Sequence, residues 1–157
     1  MTKLLIDDDN MELLNYLPDG LNELYININY PLNELKLPEG LEILHINCMG
    51  IIFDIELVES LRVLYINGDL YKNKIKLNEG LRELNIKCYE INLSLVDSLE
   101  ILILNVVKID YRELYNLPLS LKKFTLSDFS MIMYSRDDIE KLLPVGCIFD
   151  ICDYMNS

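Results

Sequence analysis

The chain has 157 residues, a formal net charge of -12 and 51% apolar side chains. That is long enough for one domain with its own core, and too apolar for a wholly disordered acidic chain. The acidity argues against nonspecific binding to nucleic acid or to an anionic membrane, since both present phosphate, and suits a basic protein or peptide partner.

Composition also points away from a helical bundle. There is no alanine and no glutamine, against 31 leucines, 19 isoleucines and 15 asparagines. A bundle draws on Ala, whereas β-branched Ile favours strands.

In chain order, Leu4 and Ile6 predict a short opening strand, followed by Asp7-Asp8-Asp9. The apolar run there is too short for a secretory signal, and no segment is long enough for a membrane span. Residues 10–16 predict one or two helical turns. Then a marker begins to recur. Leu17-Pro-Asp-Gly-Leu21 is echoed at Leu37–Leu41, Leu57–Leu61, Leu77–Leu81, Leu95–Leu99 and Leu117–Leu121, with Leu143–Cys147 as a degraded copy. The steps are 20, 20, 20, 18, 22 and 26 residues.

After each marker comes an alternation of period two: Leu24/Ile26/Ile28, Leu44/Ile46/Cys48, Leu64/Ile66, Leu84/Ile86/Cys88, Leu102/Leu104/Val106 and Phe124/Leu126. Each predicts one strand with its apolar side chains facing inward. Weaker alternations at Leu35/Leu37, Ile55/Leu57, Ile75/Leu77 and Ile91/Leu93/Leu95 predict extended segments on the far side of each coil. Residues 110–116 predict another helical turn. Residues 136–143 predict the best helix, with Ser135 as cap, Asp137 and Asp138 at its positive end, and Pro144 as stop.

One twenty-residue coil cannot bury its own leucines, but stacked coils can. The expected fold is therefore a β-rich solenoid: one domain over 1–157, a parallel β ladder with coils of about twenty residues. Repeats span about 4–128, and a C-terminal capping helix closes the open end over 129–157.

The Leu-x-x-Leu-x-Ile/Leu frame resembles a leucine-rich repeat. The variant Leu-Pro-x-Gly/Ser-Leu-x-x-Leu, with Ile28-Asn-Tyr-Pro-Leu32 ahead of Leu37-Pro-Glu-Gly-Leu41, is similar to the FNIP repeats of social amoebae and giant DNA viruses. That resemblance implies protein–protein interaction and fits a viral or amoebal source. It departs from the pattern where a leucine-rich repeat carries a strand-following asparagine: of Asn29, Met49, Asp69, Tyr89, Val107 and Phe129, only Asn29 matches. An F-box, often found beside such repeats, has no room before Leu17.

The residues between the inward ones form three outward columns. The first reads Tyr25, His45, Tyr65, Asn85, Ile103, Thr125; the second Asn27, Asn47, Asn67, Lys87, Asn105, Ser127; the third Glu23, Ile43, Val63, Glu83, Ile101, Lys123. Aromatic rings with polar tips beside amides that donate and accept suit a protein or peptide. The expected partner-binding residues are Tyr25, Asn27, Ile43, His45, Asn47, Val63, Tyr65, Asn67, Asn85 and Lys87. The same columns also fit a plain solvated sheet or a self-assembly contact.

His45 reads as packing between Tyr25 and Tyr65, Cys48 and Cys88 as small buried residues, and Asp7–Asp9 and Asp137–Asp138 as solvated charge. Cys147 and Cys152 lack further ligands for a metal site. No phosphate loop, nucleophile elbow or carboxylate pair is present, so neither enzyme activity nor a cofactor is expected. Four cysteines are few for a disulfide scaffold and fit the cytoplasm, a host's if the source is viral. The expected function is noncatalytic binding of a protein or peptide on the strand face; the alternative is a self-associating structural component of a viral or cellular assembly.

Overall fold

The computed structural model describes residues 2–51, 54–70, 76–90, 96–108, 114–127 and 135–152. Among the described residues there are nine strands: β1 (Lys3–Asp7), β2 (Glu23–Asn27), β3 (Pro31–Leu32), β4 (Ile43–Ile51), β5 (Val63–Leu70), β6 (Glu83–Glu90), β7 (Ile101–Lys108), β8 (Lys123–Ser127) and β9 (Ile148–Cys152). A 3-10 helix spans Met11–Tyr16, and helix α1 spans Arg136–Glu140.

All pairings are parallel, in the order β1-β2-β4-β5-β6-β7-β8-β9, with the short β3 beside β4. Seven steps along that path span about 34 Å at the usual strand spacing. The register puts like on like: Leu4, Leu24, Leu44, Leu64, Leu84, Leu102, Phe124 and Phe149 form one inward column. Ile6, Ile26, Ile46, Ile66, Ile86, Leu104, Leu126 and Ile151 form the next. The chain is a β-solenoid with a single core running its length.

The marker makes the corner. At every copy the N–H of the fifth residue donates to the carbonyl of the second, as in Leu41 to Pro38 and Leu99 to Val96, both 3.1 Å. The leading leucine of each strand segment is buried yet lies outside the strand, so its carbonyl needs a partner. For Leu41, Leu61, Leu81 and Leu99 the next coil supplies one. Ser60 Oγ donates to the Leu41 carbonyl at 2.7 Å, Ser98 to Leu81 at 2.7 Å, and Ser120 to Leu99 at 2.6 Å. Where the fourth marker position is Gly80, the bond comes from the second position instead: Asn78 Nδ2 donates to the Leu61 carbonyl at 2.9 Å. At these corners Ser links the coils directly, and beside Gly80 the preceding Asn78 does so in its place.

Two expectations change. The ladder does not end with the sixth repeat, because the degraded marker at Leu143–Cys147 still turns the chain (Cys147 N–H to Pro144 carbonyl, 3.0 Å) into an eighth rung on the path, β9. Helix α1 precedes that strand in sequence but lies beyond it in space. In a parallel ladder alternate residues aim their backbone groups to opposite sides. Ile148 N–H bonds back to the Lys122 carbonyl, so the Phe149 carbonyl points away from β8, and Arg136 Nη2 meets it at 3.0 Å. The helix is also shorter than expected, ending at Glu140; Ile139 is its buried residue, and Ser135 caps it through the Asp138 N–H.

On the far side of the coils, the extended segments pack against the core through Leu35, Leu37, Leu57 and Leu77, with one described bridge, Glu56 to Lys76. Residues 91–95, Ile75 and most of the turn at 110–116 lie outside the described residues, though Leu114 is helical and buried. Among the described residues no helix is long and apolar enough to cross a membrane.

Gly68 occupies the inward position that Cys48 fills one coil earlier. A Cβ there would stand 2.9 Å from the Cys48 carbonyl oxygen and 3.1 Å from its Sγ. Backbone cannot yield cheaply, so Gly68→Ala should cost about 1–3 kcal/mol. At Gly80 the obstacle is the end of the Arg62 side chain, which can swing away, so Gly80→Ala should cost much less. Leu84, 1% exposed, should cost about 2–5 kcal/mol as Leu84→Ala, with Asn85→Ala nearly neutral. Urea denaturation of the four variants checks both contrasts.

Candidate functional site

The outward columns occur in the expected register. Tyr25 pairs with His45, His45 with Tyr65 and Tyr65 with Asn85; Asn27, Asn47, Asn67 and Lys87 form the second column; Ile43 and Val63 adjoin in the third. Because strands β2, β4, β5 and β6 pair without offset over these residues, all ten predicted partner-binding side chains fall on one patch.

Stacking follows from strand spacing. The Tyr25 and His45 ring centroids lie 4.6 Å apart at 29°, and those of His45 and Tyr65 5.2 Å apart at 12°. Lys3, one strand earlier, places its ammonium 4.1 Å from the Tyr25 centroid, a cation–π contact at the end of the pile. The Tyr25 hydroxyl donates to Glu23 Oε2 at 3.3 Å. Burial, then the Glu23 charge and this hydrogen bond, raise the Tyr25 pKa.

The amide column is joined too. Asn47 Nδ2 donates to Asn27 Oδ1 at 2.7 Å, and Asn67 Nδ2 to Asn47 Oδ1 at 3.0 Å. Each amide has capacity left, since Asn offers two N–H donors and two lone pairs. Asn29, beyond this column, is held by Asp8, whose carboxylate accepts its N–H at 2.8 Å and its Nδ2 at 2.6 Å.

The face is not open along its whole length. Thr125 and Ser127, expected on it, are only 5% and 3% exposed, and Thr125 Oγ1 is buried without a hydrogen-bond partner. Usable surface therefore stops at β7. Cys48 is buried as expected, and burial raises its thiol pKa; the Cys88 side chain lies outside the described residues.

Two contributors escaped the sequence reading. Lys3 joins the aromatic pile, and Leu5, 57% exposed, begins its column. Both lie twenty residues before Glu23 and Tyr25, so the repeat frame contained the signal. Beside the face, the turn tips carry Asp19, Glu39, Glu59, Glu79 and Asp97, all exposed and one per coil. Next to them Glu100 is bridged by Arg82 at 3.2 Å and Lys122 at 2.6 Å, and the Lys122 bond and charge lower its pKa.

No family model, curated protein or solved structure matches this chain. A functional reading therefore rests on the face itself.

His45 has its pKa lowered, first by burial between the tyrosines and then by Lys3, with Glu23 opposing. The neutral imidazole is the form the stack holds at pH 7. A depressed histidine contributes stability that is present above its unfolded value, about 6.5, and is lost as pH falls through the lower folded value. An NMR titration of this one histidine should give a midpoint below 6.5. A midpoint at or above that value contradicts the packed stack.

Proposed function

We propose that the chain is a noncatalytic binding module that takes a protein or peptide on the outward face of β2–β6. The observation that carries this reading is the continuous pile Tyr25–His45–Tyr65, flanked by Ile43 and Val63 on one side and the Asn27–Asn47–Asn67 amides on the other. The rings are held by their neighbours before any partner arrives, so binding costs little side-chain entropy. Packed aromatics beside unsaturated amides are the usual composition of an energetic centre in an interface.

The acidic turn tips favour a basic partner, through long-range attraction that acts mainly on the association rate. The likeness of the marker to FNIP repeats supports protein binding as well. A reduced, cytoplasmic setting suits the buried Cys48 thiol.

Affinity capture from the native host with the wild-type chain as bait, compared with a Tyr25→Ala/His45→Ala/Tyr65→Ala bait, tests the assignment. The triple replacement should leave the far-UV circular dichroism unchanged and weaken the captured partner by about thirtyfold or more, since one truncated anchor residue is worth about 2 kcal/mol. Equal affinity for both baits would place the binding surface elsewhere.

A further inference from the structure

The two edges of the ladder are finished differently. At the C-terminal edge, Arg136 of α1 bonds the outward Phe149 carbonyl and lays its guanidinium 5.5 Å from the Phe149 ring centroid. At the N-terminal edge, Thr2 directs its carbonyl to β2, accepting from Asn22 and Glu23. Alternation then aims the N–H and C=O of Lys3, Leu5 and Asp7 away from the sheet. Asn10 touches part of this edge: its Oδ1 accepts the Asp7 N–H at 2.9 Å, its own N–H reaches the Asp7 carbonyl at 3.3 Å, and its Nδ2 meets the Leu5 carbonyl at 3.5 Å. Among the described residues β1 pairs only with β2. The Lys3 groups and the Leu5 N–H have no partner of this kind.

We infer that β1 is an interface for a second copy of this chain, in which the two β1 strands pair antiparallel about a twofold axis through Leu5. The order Lys3-Leu4-Leu5-Ile6-Asp7 is self-complementary under that operation. Lys3 faces Asp7 of the second copy, Leu4 faces its Ile6, and Leu5 faces its Leu5. The three residues with outward backbone groups thus become hydrogen-bonded pairs, which an antiparallel ladder requires of alternate positions. On the outward face two opposite-charge pairs flank a Leu–Leu contact that covers a side chain now 57% exposed. On the inward face the half-buried Leu4 meets Ile6 of the second copy, which its own chain already buries. The interface is isologous and closes at two copies. Asn10 is a competitor that must give way at Asp7, where its side chain holds a part-buried bond of 2.9 Å and its backbone N–H one of 3.3 Å, while its bond to Leu5 is exposed and long at 3.5 Å. The dimer joins two outward faces edge to edge, with the Lys3–Tyr25 contacts beside the junction. It does not depend on what those faces bind.

Sedimentation velocity of the purified chain tests the pairing. The wild type should pass reversibly from 18.3 kDa to twice that mass as concentration rises. Lys3→Asp and Asp7→Lys each place like charges opposite one another twice, and each should weaken the dimer by about tenfold or more. An equimolar mixture of the two restores both opposite-charge pairs and should recover the dimer as a heterodimer. Leu5→Pro deletes an N–H that serves no bond to β2, so it should abolish the dimer while leaving the monomer folded. Asn10→Ala should tighten it. A wild type that stays at 18.3 kDa throughout overturns the proposal. So does a dimer that survives the single charge reversals, or a mixture that fails to recover it.

Discussion

Everything in this molecule depends on one constraint: a coil of about twenty residues has too little interior to bury its own leucines, so each uses its neighbours as a core. That requires each strand to keep inward residue against inward residue whatever the coil length, because a one-residue shift would turn its leucines to solvent. The parallel ladder meets it by stacking Leu or Phe in one column and Ile or Leu in the next over eight strands. The corner bonds meet it a second time. Ser60, Asn78, Ser98 and Ser120 each tie a leading-leucine carbonyl to the coil that follows, where the ladder itself cannot reach.

The functional face is a by-product of that same register. Once Leu24, Leu44 and Leu64 are forced into register, Tyr25, His45 and Tyr65 must stack on the other side, and the asparagines two residues on must meet. Rigidity of the face comes from the core behind it. The constraint also creates its own difficulty at the ends, where a rung has no neighbour. The C-terminal end is covered by a helix whose arginine satisfies a carbonyl and packs on a ring. At the N-terminal end, among the described residues, Asn10 alone meets the outward backbone groups, on a strand whose charges complement those of its own reversed copy.

Much of the architecture could be read from the chain because period two and period twenty are both periodicities of side-chain type. Inward Leu84 and outward Asn85 differ in chemistry, so their faces are unambiguous. What the pattern could not supply is geometry that depends on backbone direction or on a degraded repeat. β9 follows a marker ending in Cys147 and carries Asp150 between its apolar residues, a weaker alternation than its predecessors. Burial of Thr125 and Ser127 gives no sign in residue type, since both read as solvated strand residues. Asn10 and Arg136 owe their roles to which way the Asp7 and Phe149 backbone groups point, and side-chain periodicity says nothing about that.

The twenty-residue offset at the outward face can be observed directly through the chain's single histidine. Nuclear Overhauser contacts from the His45 ring should reach the rings of both Tyr25 and Tyr65, whose centroids lie 4.6 Å and 5.2 Å away. Contacts to both, twenty residues away in either direction, are what in-register stacking predicts. Contacts to neither ring, or to one alone, would contradict the ladder and the face built on it.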